Sequence, residues 1–270
     1  MIEKMKMVCV VSSVSRKDEM LDGLRSLGLL HLAEKKSPDR AVAERFTTLS
    51  KTAATLTDYA PDKKNKKKEP VPVLSDSEFE EMYQNVLATL DKKASLEQEI
   101  SAANAEIERI KAWGNFSPED VKRVKEDGYD LHFYRLGKNE YQMALQDPEI
   151  KMIALTPIDK MHTVAVLGAL PVTIPATEFT LPEKGIDELT AQIESCQTEM
   201  GTCEETLKKS SIYDTSFQVQ MLKAQNAENY SSASETAEND EDFVWISGYL
   251  PEADLPKFKA AATEHKWAWA

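Results

Sequence analysis

Ile186, Leu189, Ile193, Cys196, Met200, Cys203 and Leu207 follow one another in strict steps of three and four, and Phe217, Met221 and Ala224 rejoin that register. Such spacing keeps one apolar stripe on a helix and needs a second stripe to cover it. The polar residues Ser210 and Asp214 fall on the same stripe and are expected to let the helix flex, the alternative being that they seat additional helices from residues 39–60. A second helical run, opened by Ser75 and Glu78 as a capping box and reaching about Lys111, carries Leu87, Leu90, Ala94, Ile100, Ala103, Ile107 and Ile110, with a slip near Glu97. Two such helices in one chain are expected to pair antiparallel as a coiled-coil arm, about 55–65 Å long at about 1.5 Å per residue. The expected seam is Leu87, Leu90, Ile100, Ile107, Ile186, Leu189, Ile193, Met200 and Leu207.

Both chain ends carry a strand–helix–strand grammar. "MKMVCVVSSV" is a β-branched apolar strand, Ser15 with Asp18 suits a helix start, Gly28 suits its stop, and "LLHLAE" is a second strand. "FVWISGYL", Asp254 with Pro256, and "KWAWA" repeat the pattern at the other end. Neither half is stable alone. They are expected to close on each other as a split, ferredoxin-like sandwich, the tail pairing with the head. Between the arm helices, "FSPEDVKRVKEDG" is a helix with Ser117 as cap and Gly128 as stop, followed by strands in "DLHFYRL", "EIKMIALTPI" and "TVAVLGAL".

The expected class is therefore α+β: two small α/β lobes joined by a long antiparallel helical arm, a dumbbell. The boundaries are residues 1–74 with 228–270 for a proximal lobe, 75–112 with 183–227 for the arm, and 113–182 for a distal lobe. Residues 39–60 add an amphipathic helix, and the Lys63–Lys68 run and "ETAENDEDF" read as solvated linkers.

Composition narrows function by exclusion. A net charge of −13 argues against nucleic acid, whose phosphates need clustered Lys and Arg. The three cysteines lack metal or disulfide spacing, and Cys196 and Cys203 would stand about 10 Å apart along a helix. GxSxG, P-loop, GxGxxG and HExxH motifs are missing, and His31, His132, His162 and His265 fall in separate elements. No catalytic, cofactor or metal residue is assigned, no cofactor or small-molecule substrate is expected, and no stretch reaches the roughly 18 apolar residues of a membrane span. In the distal lobe, Tyr129, His132, Tyr134 and Arg135 are the docking candidates. Strand alternation is expected to turn half of "YDLHFYRL" outward, and aromatic and Arg side chains are enriched at interfaces.

Three blocks resemble one family in order along the chain: Leu27, Gly28, His31 and Glu34 in the opening; "AWGNFSPEDVKRVKEDGYDLHFYRL" in the middle; and Gly248, Tyr249, Pro251 and Glu252 in "VWISGYLPEADLPKF". They are similar to the cytosolic half of subunit I of V/A-type ATP synthases, the counterpart of V-type ATPase subunit a. The resemblance implies a non-enzymatic stator component at the cytoplasmic face of the membrane, soluble in itself. Its implied partners are peripheral-stalk E/G heterodimers, other rotary ATPase subunits and, through a C-terminal half not in this sequence, the membrane. The chain is accordingly expected to be cut at the membrane junction. The alternatives are a coiled-coil adaptor or a ligand-sensing regulatory module unrelated to rotary ATPases.

Overall fold

The computed structural model describes residues 3–61, 71–155, 160–168, 174 and 176–270. The Lys63–Lys68 run and the ends of the second and third mid-chain strands lie outside them. The chain divides into two compact units, Met1–Met82 with Lys208–Ala270, and Tyr83–Leu207.

The first unit is organised on a sheet of β1 (Met5–Ser13), β2 (His31–Leu32), β7 (Phe243–Pro251) and β8 (Ala268–Trp269), in the order β2-β7-β1-β8, with the two-residue β6 (Glu238–Asn239) also on β7. All pairings are antiparallel. Val8, Val10, Val244, Ile246 and Leu250 point to one side and meet Met20, Leu21 and Leu24 of α1 (Lys17–Leu27) and Phe258 and Ala262 of α8 (Leu255–Glu264). The tail does pair with the head: Cys9 and Ala270 exchange both backbone hydrogen bonds at 2.9 and 3.0 Å. Trp267 closes this core against α1, where Gly23 leaves the room. A Cβ there would stand 2.5 Å from Trp267 Cζ2.

Two helix starts differ from expectation. A single 3-10 turn, Val14–Arg16, precedes α1, and the Ser15 hydroxyl meets Ser13 Oγ at 3.1 Å instead of capping. Asp254 stands at the N-terminus of α8 but accepts from Lys257 Nζ at 2.9 Å, so a local ion pair outcompetes the cap. "ETAENDEDF" is no linker: Asp240 Oδ1 accepts from the amides of Asp242 and Phe243 and turns the chain between β6 and β7. Those backbone donors, Phe243 first, hold the Asp240 carboxyl below its ordinary range.

Also in this unit, α2 (Arg40–Thr57) lies close along α7 (Asp214–Thr236). Asp39 caps α2 by accepting from the amides of Ala41 and Val42. The polar side chains of α7 hold the connector before α2: Ser231 Oγ accepts from Asp39 N, Ser232 Oγ donates to Lys36 O, and Thr236 Oγ1 accepts from Lys36 N. At the head of α7 a 3-10 turn, Ser211–Tyr213, interrupts the helix. Ser210 is buried there, and Ser211 Oγ donates to Lys208 O at 2.8 Å and lies 3.3 Å from Tyr59 O. This counts against the expected flexing and fits the alternative, the seating of the 39–60 helix. Hydrogen-bonded neighbours occupy the site where bending was allowed for.

The second unit contains most of α3 (Asp76–Ile110) and α6 (Ile186–Ser210), which run antiparallel. Ala103, Ile107 and Ile110 meet Ile186, Leu189 and Ile193, while Leu96 and Ile100 meet Cys196, Met200 and Cys203. Leu207 is fully buried, and Leu87 and Leu90 are half-buried. The expected slip near Glu97 takes the form of two successive steps of three, Leu90 to Lys93 to Leu96. The seam runs through Lys93 and buried Leu96 while Ala94 is exposed, with Lys93 Nζ 3.6 Å from both Glu97 and Glu204. A lysine stem can line a seam and carry its charge outward, so a polar letter hid the continuity of the stripe.

The remainder of this unit is a sheet in the order β3-β5-β4, from β3 (Leu131–Leu136), β4 (Met152–Ala154) and β5 (His162–Leu167), with α4 (Pro118–Glu126) before it. Ser117 caps α4, accepting from Asp120 N at 3.3 Å. The short helix α5 (Lys138–Gln146) covers one sheet face through Tyr141 and Ala144. It had no separate sequence signal because "KNEYQMALQ" has one weak apolar stripe and a glycine for its cap.

Candidate docking surfaces

Around β3 the four sequence-derived candidates separate. Tyr129 follows Gly128, whose φ of 88° ends α4, and is 54% exposed. His132 Nδ1 lies 2.8 Å from Glu178 Oε1, and the chain at Glu178 bridges to Tyr134 as a further edge of the sheet. Tyr134 is not an outward residue: it is 4% exposed, opposite Val164 and packed with Leu136, Ala144 and Ile174. Burial first, then the Glu178 charge, pushes its hydroxyl pKa up. The outward expectation fails because both faces of β3 are covered, one by α5 and the other by Trp113 and Phe179 around Phe133. Arg135 is half-buried beside an open depression of about 520 Å³, its Nε enclosed without a hydrogen-bond partner among the described residues. Tyr129, His132 and Arg135 therefore remain accessible, whereas Tyr134 supports the fold beneath them.

A larger surface stands in the first unit, and the sequence reasoning missed it. Opposite residues of an antiparallel pair share a face. Here Met5↔Pro251, Met7↔Tyr249, Cys9↔Ser247, Val11↔Trp245 and Ser13↔Phe243 point away from α1 and α8. None of these positions carries a charge; Glu238, opposite Trp245, and His31, opposite Tyr249, stand at the two flanks. Met7 is 60%, Phe243 54% and Tyr249 42% exposed. A solvated sheet face is normally polar, so an exposed apolar patch of this kind marks a surface made to be covered. The signal was legible in "MKMVCVV", where both alternating sets are largely apolar rather than one.

Among the described residues, no group of three or more His, Cys, Asp or Glu side chains is placed to hold a metal ion, and no helix is long and apolar enough to cross a membrane. What the geometry presents is a mixed helix-and-sheet protein with two antiparallel sheets, one of them bare and apolar on one face.

The chain resembles subunit I of V-type ATP synthases. It is 25% identical over 289 residues to "V-type ATP synthase subunit I 1" of Treponema pallidum (strain Nichols), covering 100% of this chain and 46% of that protein. It is 20% identical over 282 residues to V-type ATP synthase subunit I of Borreliella burgdorferi, covering 99% of this chain and 44% of that one. The chain thus spans about half the length of the curated relatives it matches. A crystal structure of the cytoplasmic N-terminal domain of subunit I, homolog of subunit a, of V-ATPase aligns over 98% of this chain and 99% of its own, at 13% identity and a TM-score of 0.39. No protein-family model matches.

Proposed function

We propose that this chain is a non-catalytic stator component of a rotary V/A-type ATPase or ATP synthase, standing at the cytoplasmic face of the membrane and joining peripheral stalks to the membrane motor. Its partners are the E/G heterodimers of those stalks, other subunits of the rotary complex, and a membrane-embedded half beyond this sequence. On this reading it forms two lobes on a helical arm, with lobes at 1–74 with 228–270 and at 113–182, and the arm at 75–112 with 183–227. The order β2-β7-β1-β8 supports a ferredoxin-like proximal lobe, since a split strand–helix–strand pair interleaves its strands in that manner.

The observation that carries the reading is the bare face of Met7, Trp245 and Tyr249. An amphipathic helix of a stalk coiled coil has the apolar stripe such a face requires. Tyr129, His132 and Arg135 supply a second contact surface, with Leu87, Leu90, Ile100, Ile107, Ile186, Leu189, Ile193, Met200 and Leu207 serving as the internal seam of the arm.

Calorimetric titration of the chain with a purified E/G heterodimer from the same source tests this. Saturable binding, at micromolar strength for one contact without avidity, is expected for the parent, with loss of ten-fold or more in Met7→Glu/Tyr249→Glu. Binding that this pair leaves intact removes the sheet face from the proposal, and absence of binding at high concentration removes the stalk.

A further inference from the structure

Within the first unit, α1, the segment 30–35 and the second half of α7 enclose a half-open cavity of about 420 Å³. Its floor is apolar: Leu21, Leu24 and Ile246 belong to the buried core, and Leu30 and Leu32 pack on it. Its rim is cationic and amide-bearing, with Arg25, Lys35, Asn226 and Asn229 around the mouth and no carboxylate in the lining, while His31 contributes its backbone, its ring lying opposite Tyr249 on the other face. Two acids, Asp18 and Asp22, act on the wall residue Tyr230, whose hydroxyl donates to Asp18 Oδ1 at 3.0 Å. None of the four rim side chains makes a hydrogen bond or ion pair among the described residues. In a chain of net charge −13, cations are outnumbered by acids, so leaving Arg25 and Lys35 without acid partners around one apolar hollow is a local inversion of the protein's charge. The hollow is also rigidly framed. A Cβ on Gly248 would stand 2.6 Å from His31 O and 2.8 Å from Leu30 Cγ, so only glycine lets the 30–32 segment seat as the cavity wall.

We infer that this cavity binds a small soluble amphiphilic anion, an apolar body of aliphatic or aromatic carbon carrying one carboxylate or phosphate. The volume is in the range of small-molecule sites, and such sites combine an apolar lining with few convergent polar groups. The apolar body rests on Leu24, Leu30 and Ile246. The anionic head meets Arg25 and Lys35, with the amides of Asn226 and Asn229 as hydrogen-bond donors. The molecule is a ligand and undergoes no reaction there. The inference does not depend on the stator role, since it concerns a cavity on the covered side of the sheet rather than the bare face.

The test is calorimetric titration of the full chain with decanoate, with decanol and decylammonium as uncharged and cationic probes of the same body and inorganic phosphate as a head without a body. Decanoate is expected to bind saturably, at least ten-fold more tightly than decanol, with decylammonium and phosphate silent. Arg25→Ala/Lys35→Ala is expected to cut decanoate affinity ten-fold or more while leaving decanol unchanged, and Asn229→Trp, which fills the mouth from an exposed helix position, to abolish both. Circular dichroism of each variant checks that it is folded. Equal affinity for the three ten-carbon probes, no saturation, or indifference to Arg25→Ala/Lys35→Ala overturns the proposal. So does co-sedimentation with phosphatidylglycerol vesicles that Arg25→Ala/Lys35→Ala abolishes while decanoate is not bound, because the cations then serve a membrane surface instead.

Discussion

Gly23→Ala is expected to change sign with the residue it faces. In an exposed helix, replacing glycine by alanine stabilises by about 1 kcal/mol. At position 23 the new methyl would meet Trp267 Cζ2 at 2.5 Å and Cη2 at 2.9 Å, both on the benzo ring of a buried indole that also stacks on His265 at 4.7 Å. Overpacking of a well-filled core costs about 1–3 kcal/mol. The net expectation is destabilisation by about 1 kcal/mol. Trp267→Phe removes the benzo ring and with it the obstruction. In that background Gly23→Ala is expected to stabilise by up to about 1 kcal/mol, a coupling on the order of 2 kcal/mol between residues in contact. The assay is native-state hydrogen exchange of the β1 amides in the parent, both single variants and the double variant, which reads the first unit by itself. A stabilising Gly23→Ala in the parent, or additive free energies around the cycle, would refute the close approach of α1 and Trp267.

Three further outcomes are expected. Lys93→Met keeps the seam filled and loses ion pairs at 3.6 Å to Glu97 and Glu204, so denaturant unfolding should shift by less than about 1 kcal/mol, whereas Leu96→Ala should cost about 2–5 kcal/mol. Burial, with the hydrogen bond to Asp18, pushes the Tyr230 hydroxyl up to about 12; the folded state keeps its proton where an unfolded tyrosine, near 10, has lost it. The stabilisation is fully present below about pH 10 and lost as pH rises through about 12, and Tyr230→Phe should flatten that stretch of the stability–pH curve relative to the parent. Burial likewise raises the Cys196 thiol, with Glu99 adding to the effect, so iodoacetamide should modify half-buried Cys9 before Cys196 in the native protein and lose that preference in urea.

The parts of this fold written in local periodicity were legible. The α6 stripe, the Ser117 and Ser75 starts and the strands at both ends follow from spacing and capping chemistry alone, and the tail-to-head pairing followed from two incomplete halves needing each other. The parts that depend on what lies across a sheet were not. Tyr134 and His132 have the same strand parity, yet one is core and the other reaches Glu178, because cover by α5 and the Glu178 edge is decided by distant chain segments. Lys93 concealed the seam for the opposite reason, a charged residue serving through its methylene stem. Of the candidate surfaces, the bare sheet face was visible only as an excess of apolar letters in β1, and the cationic cavity brings together residues 25, 35 and 229, which no local pattern relates.

The place of β1 between β7 and β8 has a consequence for how the chain is made. Its backbone partners are residues 243–251 and 268–269, so β1 must wait for strands far along the sequence before its ladder can close. The equilibrium penalty is modest, because closure entropy grows only by about 0.6 kcal/mol for each doubling of the loop. The kinetic penalty is larger, since contacts of such separation form late. During synthesis the apolar "MKMVCVVSS" is an open strand with both edges unpaired, while Tyr83–Leu207 can already assemble from its own residues. A nascent chain of this design therefore carries an apolar open-edged strand unsheltered until residues 243–251 have been made, and early engagement by a chaperone is the hazard's natural remedy.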